Sequence, residues 1–218
     1  MKSATKTLLA CAAAAAFSSS AQAQSMTASA FTTETDLDVT GGAVHVAVNF
    51  GDGDSGDSAE SPLDVNGITH NGFSDFSGSV NRTETFGGVN VTTGNFNSIG
   101  DFRANANPYD GTSETVLDQL FTGIIPATGV STIDVDGLTV GTDYLLQVYW
   151  EHTNGMSNTY DFTVEGTQTT GLTQPSSTLG TILTTEFTAG DGILNMEFDY
   201  AQNTNHWISG FSVQAVPE

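Results

Sequence analysis

The chain reads as an all-β protein, an antiparallel β-sandwich carrying one short helix. Three observations predict this class. Apolar residues recur at every second position in roughly eight to eleven short runs, the period of a half-buried strand. Gly, Asn and Asp cluster between those runs, where turns need residues that tolerate positive φ. One stretch alone, Ser113 to Phe121, keeps a helical period, with Val116, Leu117, Leu120 and Phe121 forming a stripe.

The first 23 residues read as a secretory signal peptide. Lys2 and Lys6 precede an apolar run from Leu8 to Phe17, and Ala21-Gln22-Ala23 has the small-x-small form of a cleavage site. The expected mature chain is one domain, 24–218, with a short tail from about residue 214. Cys11 is the only cysteine and leaves with the leader, so the exported domain must stand on its apolar core, without a disulfide or a thiolate ligand. The charge is lopsided. With Lys2 and Lys6 gone, Arg82 and Arg103 face 25 acids. Such a surface cannot neutralise phosphates, which argues against nucleic acid and anionic membranes as partners. No stable membrane insertion is expected of the residues after the leader.

In chain order, Leu37 and Val39 suggest a short edge strand. Val44, Val46, Val48 and Phe50 then alternate with His45, Ala47 and Asn49, which turns His45 outward. Gly51 to Glu60, GDGDSGDSAE, is a loop. Its Asp52, Asp54 and Asp57 suit a hard cation such as Ca²⁺, although the spacing is not that of an EF-hand and a solvated acidic loop is the favoured reading of the residues. Leu63 to Ile68 is a strand running into an Asn-Gly turn, and Phe73, Phe76, Val80, Phe86, Val89 and Val91 continue the apolar supply. The helix at Ser113 to Phe121 has Thr112 or Ser113 as its cap and Gly123 to close it, and its expected place is one open end of the sandwich.

Ile133, Val135, Leu138 and Val140 lead through a strand and a turn, Gly137 to Tyr144, into the next strand. Tyr144, Leu146, Val148 and Trp150 alternate against Leu145, Gln147, Tyr149 and Glu151, and Tyr160, Phe162 and Val164 alternate against Asp161, Thr163 and Glu165. With Asn154-Gly155 between them, the two runs predict an antiparallel hairpin. Thr167 to Ser177 reads as a loop. Strands follow at Leu179 to Phe187, Ile193 to Tyr200 and Trp207 to Val213.

The order Gly-Leu-Thr-x-Gly-x-x-Tyr from Gly137, an apolar strand ending in Glu151, Tyr-Asp-Phe-Thr-Val-Glu-Gly from Tyr160, an Ala-Gly-Asp-Gly-Ile-Leu-Asn-Met strand and a final Ile-Ser-Gly-Phe-Ser-Val resembles the second half of malectin-like, galactose-binding-type jelly rolls, over about Gly137 to Val213. The resemblance implies a jelly-roll sandwich. Ala215-Val216-Pro217-Glu218 resembles the junction in exported bacterial proteins of the PEP-CTERM class, and sorting by that route needs residues beyond Glu218.

Common catalytic signatures, Gly-x-Ser-x-Gly, His-Glu-x-x-His and a phosphate-cradling Gly loop with Lys, do not occur. His45, His70, His152 and His206 are scattered and read as surface residues. A saccharide presents a C–H face and a rim of hydroxyls, so its site pairs an aromatic plate with amide, carboxylate or imidazole groups. Three segments hold such sets: Tyr109 with Asp110; Trp150 with Glu151, His152 and Asn154; and Trp207 with Asn205 and His206. Trp150 and Trp207 also read as core residues, because both stand in strands with inward companions. The expectation is a secreted or surface-bound, non-enzymatic domain that binds carbohydrate or extracellular polysaccharide. Its rivals are a structural matrix protein without a small ligand and a carbohydrate-active hydrolase or lyase on the same scaffold.

Overall fold

The computed structural model describes residues 25–50, 62–74, 76–77, 81–96, 98–101, 115–121, 123–150, 159–176, 179–200 and 206–217. The strands are β1 (Thr27–Phe31), β2 (Val44–Asn49), β3 (Leu63–Val65), β4 (Ile68–Gly72), β5 (Phe76–Ser77), β6 (Arg82–Phe86), β7 (Val89–Phe96) and β8 (Ser98–Asp101). After the helix α1 (Thr115–Leu120) come β9 (Gly123–Val135), β10 (Asp143–Trp150), β11 (Thr159–Val164), β12 (Thr167–Thr173), β13 (Gly180–Thr188), β14 (Leu194–Tyr200) and β15 (His206–Ala215).

They build a β-sandwich. One layer runs β1-β13-β10-β15, with β2 and the first part of β9 on the far side of β15. The other runs β6-β7-β9-β14-β11-β12. Strand β9 serves both: residues Ile125 to Ala127 pair with β15, and Val130 to Val135 pair with β14. Between the two parts Gly129 has φ +76°, which bends the strand from one layer to the other. All pairings are antiparallel except β2 with β4.

The main core lies between the layers. Val46, Val48, Leu146, Val148, Phe211 and Val213 of the first face Val91, Ile133, Phe162, Val164, Met196 and Phe198 of the second. At ~1.5–3 kcal/mol for each large side chain, this burial carries the fold without a disulfide. At the open side, Met26 N–H donates to Thr169 Oγ1 at 3.1 Å and ties the strand edges together.

Several sequence expectations are corrected by this topology. The predicted hairpin of β10 and β11 does not form: β10 pairs with β13 and β15, and β11 with β12 and β14. The two runs instead meet face to face across the core, which buries both apolar faces at once. The partner of β11 is β12, within the stretch read as a loop. A two-residue turn joins them, with Glu165 at φ 49° and Gly166 at φ 71°. Strand β12 escaped notice because, as an edge strand, it buries Leu172 alone. The Asn66-Gly67 turn between β3 and β4 forms as expected, with φ 50° and 83°. Leu37 and Val39 are not in a strand; the N-terminal edge strand is β1.

Nor does the second face of β10 meet water. Leu145, Gln147 and Tyr149 are buried as fully as Leu146 and Val148. A second apolar cluster covers them from outside: Phe31, Leu37, Val65, Ile68, Leu117, Leu120, Phe121, Tyr149 and Ile182. Helix α1 therefore lies on the outer face of the first layer, against the β3–β4 hairpin, and does not plug the end of the sandwich. Its predicted caps, Thr112 and Ser113, lie outside the described residues.

Candidate functional site

Strand direction sorts the connections to two ends. At one end the turns are short: Gly87-Gly88, Glu165-Gly166, and the 136–142 and 189–193 connections. The last two are laced together by Leu138 N–H to Gly192 O at 3.0 Å and Gly141 N–H to Ala189 O at 2.8 Å.

The other end carries the longer connections. Trp150, the last residue of β10, lies opposite Ile208 near the start of β15, while Tyr160 at the start of β11 lies opposite Tyr200 at the end of β14. The described residues that flank 151–158 and 201–205 thus lie at the same end of the sandwich. Asn49, the last residue of β2, pairs with Gly210, so β2 also ends here. Thr181 pairs with Trp150, which brings up the connection preceding β13. This loop-bearing end is the candidate site.

Of the sequence-predicted residues, Tyr109, Asp110, Glu151, His152, Asn154, Asn205, Asp52, Asp54 and Asp57 lie outside the described residues. His206 and Trp207 occupy the first two positions of β15, opposite Ala127 and Pro126. The anchors of two predicted saccharide segments are adjacent. The third, holding Tyr109, runs from Asp101, which lies opposite Gly123, four residues along β9 from the partner of His206.

Trp150 does not present a plate to solvent. It is 2% exposed and packs edge to face on Tyr160, because it shares the inward face of Leu146 and Val148. Beside it a narrow pocket opens between the layers, lined by Val148, Trp150, Leu183 and Ile208 on one side and Tyr160, Asp161, Phe162 and Phe198 on the other. Trp150 Nε1 has no hydrogen-bond partner, nor have the buried hydroxyls of Thr181 and Ser209. Asp161 alternates with the inward Tyr160 and Phe162, so its side chain lies on the outer face of β11, opposite the exposed Asp199, where it accepts a hydrogen bond from Gly171 N–H at 3.0 Å.

His45 and His70 depart from their expected places. His45 is half-buried and its Nε2–H donates to Asp136 O at 2.8 Å. His70 is fully buried, outside the loop-bearing end, in the outer apolar layer. Its Nδ1–H donates to Ile68 O at 3.0 Å, leaving Nε2 to accept the Tyr149 hydroxyl at 2.9 Å. Burial pushes His70 down to about 4 and raises Tyr149, so both are neutral at physiological pH. The sequence held no signal for this pair, since its two members are 79 positions apart.

Acids concentrate on the outer face of the second layer. Asp134 is held above the usual carboxylate range by burial and then by Glu197, and Glu165 by burial. Among the described residues no group of three or more His, Cys, Asp or Glu side chains is placed to hold a metal ion.

No protein-family model matches the chain, and no curated protein matches it. Solved structures share a loose likeness. A Bacteroides uniformis beta-glucuronidase 2 aligns with 79% of this chain at 11% identity and TM-score 0.46, and the chain spans 18% of that protein's length. The CBM22-1 xylan-binding domain of Paenibacillus barcinonensis Xyn10C aligns over 83% of this chain and 99% of its own, at 11% identity and TM-score 0.42. A family 35 carbohydrate binding module from Clostridium thermocellum aligns over 62% and 97%, at 9% identity and TM-score 0.38. The fold assignment rests on the strand registers themselves: this chain is an all-β sandwich with one short helix.

Proposed function

We propose that the chain is an exported, non-enzymatic domain that binds carbohydrate through its loop-bearing end. One observation carries the reading. The segments following Trp150 and preceding His206, each holding polar hydrogen-bonding residues beside a tryptophan, are anchored by neighbouring residues at the end opposite the short turns. A shallow site of this kind contributes a few kilocalories, so dissociation constants of roughly 10⁻³ to 10⁻⁵ M are expected. A glycan array on the mature domain, with and without Ca²⁺, identifies the sugar. NMR titration of Tyr109→Ala and His206→Ala then locates the site: each substitution is expected to weaken binding. Shift changes that survive both place it elsewhere.

A structural surface protein is the second reading, favoured by the outer face of the second layer. There Thr83 and Thr92 pair at 2.8 Å and Thr85 donates to Asn90 at 2.6 Å, in a ladder of small polar groups. Absence of any saccharide binding by the wild-type domain leaves this reading standing.

A further inference from the structure

The outer layer is held to the sandwich more loosely than the two layers of the sandwich hold each other. The β3–β4 hairpin joins the first layer through two parallel pairs, Val48 with Asn71 and Asn49 with Gly72, and through the Asn71 amide, which donates to Ala47 O at 3.3 Å. Phe73 then turns into the main core against Phe50, so the hairpin hinges where β4 ends. Helix α1 rests on β3 and shares its apolar cluster with Phe31, Tyr149 and Ile182. The seam beneath is partly polar. Gln147 on the outward face of β10 is 2% exposed, and its Oε1 has no hydrogen-bond partner. An acceptor left without a donor opposes closure, and water supplies one on opening.

We propose that β3, β4 and α1 form an acid-loosened cover, which opens as one unit from the outer face of the first layer when His70 takes a proton, while the two-layer sandwich stays folded. The hairpin carries His70 into the seam. Its Nδ1–H donates to Ile68 O, so Nε2 has to accept the Tyr149 hydroxyl. A second proton would set an N–H against that O–H and place a charge among Val65, Ile68 and Ile182. On the surrounding elements stand Asp64 of β3, Asp118 of α1, Tyr149 of β10, Glu186 of β13, His45 of β2 and Asp36 beside Leu37, all titratable. Asp64 favours the charged imidazole, and burial outweighs it. His45 is engaged elsewhere, on Asp136 O. The inference stands apart from the saccharide reading, and neither depends on the other.

Amide hydrogen exchange of the mature domain from pH 7.5 to 3.5, corrected for the intrinsic rate at each pH, reads opening element by element. The amides of β3, β4 and α1 are expected to share one protection factor, at least about tenfold below that of β9, β11 and β14 at every pH. Between pH 6.5 and about 4 the shared factor should fall roughly a hundredfold and then level off. His70→Gln is expected to flatten that fall, and His70→Leu serves if the glutamine does not close. Leu117→Ala, which loosens the helix without touching the imidazole, should lower the protection of the hairpin and of α1 by the same factor. Protection of the hairpin and helix equal to that of β9, β11 and β14 would mean that only the whole domain opens. Unequal factors for hairpin and helix, or a response to Leu117→Ala confined to α1, would mean that they are not one cover. A fall that persists in the His70 variants would assign it to carboxylates. Each of these results overturns the inference.

Discussion

Acid should weaken this fold through one histidine. His70 is fully buried, donates through Nδ1 to Ile68 O and accepts the Tyr149 hydroxyl, and its ionisation falls from an ordinary 6.5 to about 4. Burial is the dominant cause; hydrogen bonds to Ile68 and Leu63 and the charge of Asp64 pull the other way without overcoming it. Above pH 6.5 the imidazole is neutral folded and unfolded, and its contribution does not vary. Between 6.5 and about 4 the unfolded chain takes up a proton that the folded chain refuses, so stability is lost as pH falls, and below 4 the loss is complete. At ~1.4 kcal/mol per pH unit the loss is about 3 kcal/mol, or roughly 10 °C in melting temperature for a domain of this size. Carboxylates titrate in the same range with mixed signs. Asp134 and Glu165, held high, favour the fold as they protonate; Asp36 is held low because the Thr32 and Thr33 hydrogen bonds outweigh its burial, and it loses stability as pH falls. The informative quantity is therefore the difference between wild type and His70→Gln, followed by urea unfolding from pH 7.5 to 4. Wild type should lose about 3 kcal/mol more than the variant across that range. Parallel curves, or an NMR titration placing His70 near 6.5, would refute the reasoning.

Other predictions concern packing, metal and processing. Gly210 lies between β2 and β10, where an added Cβ would press on the Val48 carbonyl and the Tyr149 ring; Gly210→Ala should cost ~1–3 kcal/mol in urea unfolding, and an unchanged midpoint counts against the register. Leu117→Ala should cost ~2–5 kcal/mol if α1 belongs to the cooperative unit, whereas loss of helix signal with an unchanged main transition would show that the outer layer melts separately. Millimolar Ca²⁺ should raise the melting temperature of wild type and not of an Asp52/Asp54/Asp57→Asn variant; equal shifts would mean that the loop is merely acidic. Intact mass of exported material should begin at Gln24, and a mass that includes Met1 would exclude cleavage.

The sequence by itself determined the class of structure and most of the strands. Period-two alternation reports which face of a strand leaves water, so β2, β10, β11, β14 and β15 were legible within a residue or two, and the Asn66-Gly67 turn followed from its need for positive φ. Alternation does not report which strand lies alongside or what covers the other face. Both β10 and β11 need a cover for an apolar face, and that need is met equally by a hairpin on one sheet or by two sheets facing each other. Only the long-range registers, Trp150 with Thr181 and Ile208 and Tyr160 with Tyr200, decided for the second. The same holds for His70 and Tyr149. His70 read as a surface residue because its imidazole needs partners, and they are supplied by Ile68 and by Tyr149, beneath an outer layer of α1 and the β3–β4 hairpin. The candidate site follows this logic: residue types named its segments, whereas strand order brought the anchors of two of them together, because hydrogen-bonded register is a property of pairs of strands and is not written in either strand alone.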